Sequence, residues 1–147
     1  MKFVLQRVSQ ASVIIDNTVY SSINNGILLL MGIEKNDNED MLDYYVNKIL
    51  NMRLFNDKNQ KMNYSVIDIN GEILVVSQFT LLADTKKGNR PSYINAAQPA
   101  LAKKLYRLFC NKLKNYEINI KKGRFGAHMK LDFINDGPVT ILLGDNK

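Results

Sequence analysis

Several kinds of residue are scarce in this chain, and each scarcity removes a class of function. A single cysteine among 147 residues leaves no internal disulfide framework and no thiolate metal site within one chain. There is one histidine, and no spacing of His, Cys or carboxylates matches a metal site, so no metal and no cofactor are expected. Glycine-rich phosphate loops and dinucleotide fingerprints are missing too. No apolar run approaches the roughly 20 residues that cross a bilayer. The N-terminal MKFVLQRVSQ meets Arg7 before a signal-type segment can build. The expectation is therefore a cytoplasmic protein without a membrane partner. With no Pro/Gly/Ser-rich linker, residues 1–147 are expected to form a single domain with a real core.

The composition that remains is that of an ordinary globular chain, 46% hydrophobic and 23% charged. Its formal charge of +6 and pI near 9.4 suit a polyanionic partner without identifying one. Most of the basic residues are lysines, with small clusters at Lys86, Lys87 and Arg90 and at Lys121, Lys122 and Arg124. Singly, either cluster reads as a solvated turn.

Periodicity outlines the elements. Lys2 to Ile15, rich in Val and Ile, predicts a strand, and Asp16-Asn17 a turn into a second strand from Thr18 to Ile23. Asn25-Gly26 is a further turn signal before the apolar strand Ile27 to Ile33, and together they predict an antiparallel meander. Arg7 inside the first strand is either an edge charge or a residue bonded inward to carbonyls. Asp37 is a helix cap for Met41, Leu42, Tyr45, Val46, Ile49 and Leu50, giving an amphipathic helix to about Arg53. A polar turn at Asp57 to Gln60 precedes a strand from Met62 to Ile69, and Asn70-Gly71 predicts a type I′ hairpin. Pro99 opens a second helix whose buried stripe is Leu101, Leu105, Leu108, Phe109 and Leu113, with Cys110 as a small buried hydrophobe. The last third reads as strands at Tyr116 to Ile120 and Ala127 to Ile134, broken at Lys121-Lys122-Gly123. In the latter strand Met129, Leu131 and Phe133 alternate with His128, Lys130 and Asp132. His128 thus falls on the polar face, and no Ser or Cys with a carboxylate accompanies it.

The chain is organised around Glu72 to Asp84, EILVVSQFTLLAD. Ile73 to Val76 form an apolar run of strand length, Leu81-Leu82 resume it, and Ser77, Gln78, Phe79 and Thr80 interrupt it. Each buried polar group left without a partner costs roughly 1–3 kcal/mol, so such a break needs satisfied hydrogen bonds or a ligand. Two readings stand. The segment is the floor of a site, or the strand surfaces at Ser77 and dives again at Leu81. Downstream, DTKKGNRPSY is a loop carrying Lys86, Lys87 and Arg90 close to the end of that strand, and Asn135-Asp136-Gly137-Pro138 is a sharp turn.

SQFTL at Ser77 to Leu81 and NDGPVT at Asn135 to Thr140, taken together, resemble the two signature motifs of the D-aminoacyl-tRNA deacylase family. The resemblance extends to Arg7-Val8, Ala11 to Val13, KMNYSV before Asn70-Gly71, KGNRPSY at Lys87 to Tyr93 and GRFGAHM at Gly123 to Met129. It implies an α/β fold of the α+β type, one compact domain with a curved, mostly antiparallel sheet covered by two main helices. The implied activity is hydrolysis of the ester in D-aminoacyl-tRNA and in mischarged Gly-tRNA, with tRNA as partner and a homodimer whose pockets are completed across the interface. Carried over by motif, Ser77, Gln78, Phe79 and Thr80 would be the catalytic floor. Phe125, Gly126, Ala127 and Met129 would line the adenosine and aminoacyl end. Gly137-Pro138, as a cis pair held by Arg7, would select chirality in the other subunit's pocket. Lys86, Lys87 and Arg90 would hold the tRNA backbone. Two alternatives stay open: a noncatalytic nucleic-acid-binding module, and a deacylase acting on L-aminoacyl esters.

Overall fold

The computed structural model describes residues 1–144. Its first third is one long hairpin. Strand β1, Lys2–Ile15, turns back through Asp16 and Asn17, both in the left-handed region at φ 50° and 60°, as a type I′ connection requires. Strands β2, Thr18–Ile23, and β3, Gly26–Gly32, then both run antiparallel along β1. Ala11 faces Ile23 and Val8 faces Gly26, so each chain advances equally across the gap. The expected meander is thus corrected, because Asn25-Gly26 interrupts a single strand instead of reversing it. Glu72 fills the interruption: its N–H donates to the Asn25 carbonyl at 3.1 Å and its carboxylate accepts from Asn24 N at 2.5 Å. A Cβ on Gly26 would lie 1.9 Å from the Glu72 carbonyl oxygen, so only glycine fits there.

Strand β6, Glu72–Ser77, lies parallel to β3 and to β7, Asn119–Lys122. That corrects the hairpin expected at Asn70-Gly71. The preceding strand is also shorter than expected: β5, Met62–Tyr64, pairs only with β4, Phe55–Asn56. Val66 to Asn70 are turns, tied by Ser65 Oγ and N donating to the Asp68 carboxylate at 2.7 Å. On the other edge of β1, strand β8, Lys130–Gly144, is antiparallel along nearly its full length. The Ser21 hydroxyl donates to the Lys122 carbonyl at 3.0 Å, bringing β7 back toward β2 and curling the sheet almost into a barrel. Most ladders are antiparallel, as expected.

Two helices cover one face. Helix α1, Leu42–Asn51, buries Leu42, Tyr45, Val46, Ile49 and Leu50, and α2, Pro99–Leu113, buries Leu105, Tyr106, Phe109, Cys110 and Leu113. Phe3 joins them, with ring centroids 4.9 Å from Tyr45 and 5.5 Å from Phe109. A second cluster, including Val8, Val13, Leu28, Leu74 and Val76, fills the inside of the curl. Strand β6 divides between the two, Ile73 and Val75 toward the helices and Leu74 and Val76 away from them. This explains an apolar run without alternation.

Asp37 is not the cap of α1. A 3-10 turn, Glu39–Met41, precedes that helix and is capped by Asn38, whose side chain accepts from Asp40 N. Asp37 points inward, accepting from the Met1 ammonium and from Glu34 N at 2.6 Å each. No helix among the described residues is long and apolar enough to cross a membrane.

Candidate active site

The site begins where β6 stops. Gln78 N still donates to the Met31 carbonyl at 2.8 Å, continuing the ladder with β3, but Phe79–Leu82 fold into a 3-10 turn. The turn closes because Gly32 sits opposite it. A Cβ on Gly32 would lie 3.1 Å from the Gln78 carbonyl and 3.2 Å from Leu81 Cβ. Ser77 and Gln78 are half-buried, Phe79 and Thr80 exposed, and Leu82 is buried again. The strand therefore surfaces at Ser77. The surfacing residues nonetheless form a wall, since Ser77, Gln78 and Phe79 line a cavity of about 540 Å³. The first N–H groups of such a turn have no acceptor within it; here they belong to Phe79 and Thr80.

The opposite wall is Phe125, Gly126, Ala127, His128 and Met129. These precede β8 as a loop, correcting the strand expected from Ala127. The sequence-derived floor and lining segments, far apart in the chain, are thus brought together. Thr80 is not in the lining; its hydroxyl accepts from the Gln78 side-chain amide. No base bonds it among the described residues. His128, expected on the polar face of a strand, is exposed and belongs to the cavity wall.

Tyr106 is a positioning residue that periodicity did not single out. Its hydroxyl donates to the Val75 carbonyl at 2.8 Å and approaches the Gly123 carbonyl at 3.4 Å, and its ring lies 5.8 Å from that of Phe125. It therefore clamps β6 to the start of the lining loop from beneath. Burial pushes its phenol far above the usual tyrosine range, and burial likewise pushes the Cys110 thiol up to about 11. Tyr106 lies next to Leu105 on the helix, and a tyrosine within an apolar stripe was the available signal.

Gly137, Pro138 and Arg7 do not line this cavity. Between Gln6–Thr140 and Val8–Asn135, β1 advances two residues and β8 five, so Asp136 to Val139 bulge out of a strand that otherwise continues. The sharp turn expected there is thus a bulge. The Gly137-Pro138 bond is cis. Arg7 is bonded inward: Nε donates to the Asp136 carbonyl at 3.0 Å and Nη1 to the Leu54 carbonyl at 2.8 Å and Asn56 Oδ1 at 3.3 Å. Lys86, Lys87 and Arg90 occupy an exposed loop closed by two bonds between Asp84 and Ser92, at 2.8 and 2.9 Å.

The cavity lies on a curled α+β sheet, is mostly apolar, has no Asp, Glu, Lys or Arg in its wall, and is bounded by a strand-ending turn on one side and by the Phe125 to Met129 loop on the other, a shape suited to a small, largely uncharged acyl or nucleoside group. The family model described as D-Tyr-tRNA(Tyr) deacylase matches residues 4–144. The chain belongs to this family. It is 50% identical over 147 residues to a D-aminoacyl-tRNA deacylase of Thermosipho africanus, covering 100% of this chain and 99% of the relative. It is 55% identical over 145 residues to one of Flavobacterium psychrophilum, covering 97% and 96%. Among solved structures, one described as a c-Myc DNA unwinding element binding protein superposes with TM-score 0.94 at 43% identity, covering all of both chains. Another, described as a probable eukaryotic D-amino acid tRNA deacylase, superposes with TM-score 0.85 at 16% identity over 97% of each chain and shares the fold.

Proposed function

We propose that the chain hydrolyses the ester joining a D-amino acid to the terminal adenosine of tRNA, releasing the free amino acid and the tRNA. The observation that carries this reading is the meeting of Ser77 to Phe79 with Phe125 to Met129 across one cavity. An aminoacyl ester is already activated, so its hydrolysis needs a held water and donors for the developing oxyanion more than a strong base. The N–H groups that open the 3-10 turn, that of Phe79 in the cavity wall and that of Thr80 beside it, supply the donors. Water oxygen bonds to the acyl carbon, the ester C–O bond breaks, and the proton passes to the departing ribose oxygen, assisted by the neighbouring ribose hydroxyl. Thr80 without a bonded base is a poor nucleophile.

Chirality is read by the bulge at Gly137-Pro138, presented to the cavity of a second copy and held by Arg7. Support for a second copy comes from the outer strand β8, where Ile134 and Leu142 are 53% and 77% exposed. Lys86, Lys87 and Arg90 hold the tRNA backbone. Incubating the protein with D-Tyr-tRNA and L-Tyr-tRNA side by side tests the reading: cleavage of the D ester alone supports it, and equal cleavage of both removes the chiral part. A second reading, nucleic-acid binding without chemistry, is favoured by the +6 charge and by the description of the 43% identical structure. It predicts binding with no release of amino acid from either ester.

A further inference from the structure

Phe79 carries an exposed ring that the ester chemistry does not use. Phe79 as a residue is 56% exposed, and Tyr93, 37% exposed, packs against it edge-on with centroids 5.0 Å apart and planes at 69°. Ile94, the next residue in the chain, is 74% exposed. Aromatic rings left in water at the rim of a cavity bury little and do not account for themselves as core. An edge-to-face pair leaves one ring with a face free of its partner.

The pair is held firmly. Asp84 and Ser92 exchange two backbone bonds just before Tyr93, and beyond it Ala96 N donates to the Tyr93 carbonyl at 2.9 Å and Ala97 N to the Ile33 carbonyl at 2.9 Å. The segment is thus tied to the end of β3, beside the cavity that Phe79 lines. The loop closed by the Asp84–Ser92 bonds carries Lys86, Lys87 and Arg90, so the neighbouring charge is positive. A rigid aromatic step between a cavity and a basic loop matches single-stranded nucleic acid, in which bases stack on rings and phosphates run along cations.

We propose that Phe79 and Tyr93 form a stacking step for a nucleobase, that of the nucleotide preceding the aminoacylated adenosine. The inference rests on the tRNA-end reading above. Because every base has a π-face, the step tolerates any base and contributes affinity in place of sequence choice. Tyr93 is then a positioning residue: it holds the strand so that the ester arrives at the Phe79 and Thr80 N–H groups.

The test is binding of a single-stranded RNA tetranucleotide ending in adenosine, with 2-aminopurine as the penultimate base, to the full chain. Stacking quenches that base. Wild type and Tyr93→Phe should quench it, whereas Tyr93→Leu, which keeps apolar bulk beside Phe79 without a π-face, should lose the quenching and bind roughly tenfold more weakly. Tyr93→Ala should match Tyr93→Leu if it folds. Equal affinity and equal quenching in Tyr93→Leu and wild type would overturn the proposal. So would a loss in Tyr93→Phe as large as in Tyr93→Leu. D-Tyr-tRNA hydrolysis by the wild type, measured alongside, reports on the functional reading separately, because the binding assay needs no ester.

Discussion

Arg7 and Asp136 are 129 positions apart in the chain, yet the guanidinium of one donates to the carbonyl of the other at 3.0 Å. Arg7 is 8% exposed and also satisfies the Leu54 carbonyl, so one side chain ties β1, the β4 region and the β8 bulge together. Arg7→Met would leave both carbonyls without that donor and should cost about 2–4 kcal/mol. Arg7→Lys should recover only part, because an ammonium lacks the planar fork that reaches two acceptors. Urea unfolding of the three proteins measures this. A loss below about 0.5 kcal/mol in Arg7→Met would mean that these bonds are replaced by water.

Alkali should find a weak point under α2. The Cys110 thiol is raised by burial to about 11 in the folded chain, from an ordinary value near 9.0. The unfolded chain therefore loses that proton first. The contribution is fully present below about pH 9 and falls as pH rises through 11, by up to about 1.4 kcal/mol per pH unit. Tyr106, raised further still, adds to the loss above about pH 10. Stability followed between pH 8 and 11 should decline, and Cys110→Ala should flatten the decline. An unchanged slope in that variant would assign the alkaline loss to other groups.

Much of this architecture is legible in the residues, and the failures have identifiable causes. Asp16-Asn17 predicts its turn because both residues tolerate positive φ, and Pro99 marks the start of α2 because its missing N–H is harmless there. Asn25-Gly26 carries the same local signal as a turn and misleads, since its glycine serves a close approach of Glu72 that no local rule encodes. Asp37 has cap chemistry but is drawn inward by a long-range ion pair with the Met1 ammonium. At the site, the polar break at Ser77 to Thr80 is visible in the sequence. Its partner wall is legible only through the GRFGAHM motif, because Ala127 to Met129 alternate like a strand while serving as a loop. Tyr106 looks like one more member of an apolar stripe.

Thr80 tests the chemistry. Its hydroxyl bonds the Gln78 amide and lies outside the cavity lining, while its N–H belongs to the backbone. Thr80→Ala should therefore slow D-Tyr-tRNA hydrolysis less than about tenfold, since the backbone donors survive. Abolished activity in a folded variant would favour a hydroxyl nucleophile.

The basic loop makes a prediction about salt. If Lys86, Lys87 and Arg90 each meet a phosphate, replacing all three with Ala should weaken binding alike across tRNAs. It should also make the dependence of log K on log salt shallower by about 2–3, since each contact releases roughly one counterion. Titrations between low and physiological salt decide this. Parallel lines for variant and wild type would leave the loop solvated.

In the proposed function, chiral selection rests on Gly137. Its φ of +124° lies where side chains are rarely tolerated, and a Cβ there would meet Arg7 Nη2 at 2.8 Å and Val139 Cγ2 at 2.9 Å. A bare backbone segment held this closely can approach the substrate α-carbon and exclude an L side chain by contact. Exclusion reads only what projects on one side of that carbon. A D side chain projects elsewhere and glycine has none, so D-Tyr-tRNA and Gly-tRNA should both be cleaved while L-Tyr-tRNA is spared. Selection by recognising the D side chain would instead leave Gly-tRNA intact even at high enzyme concentration, and that result would refute the exclusion model. Gly137→Ala gives the complementary arm: by displacing the Arg7 guanidinium it should shift the bulge and narrow the ratio of D-Tyr-tRNA to L-Tyr-tRNA cleavage. An undiminished ratio in a folded Gly137→Ala protein would move chiral selection away from the bulge and onto the cavity wall at Ser77 to Phe79.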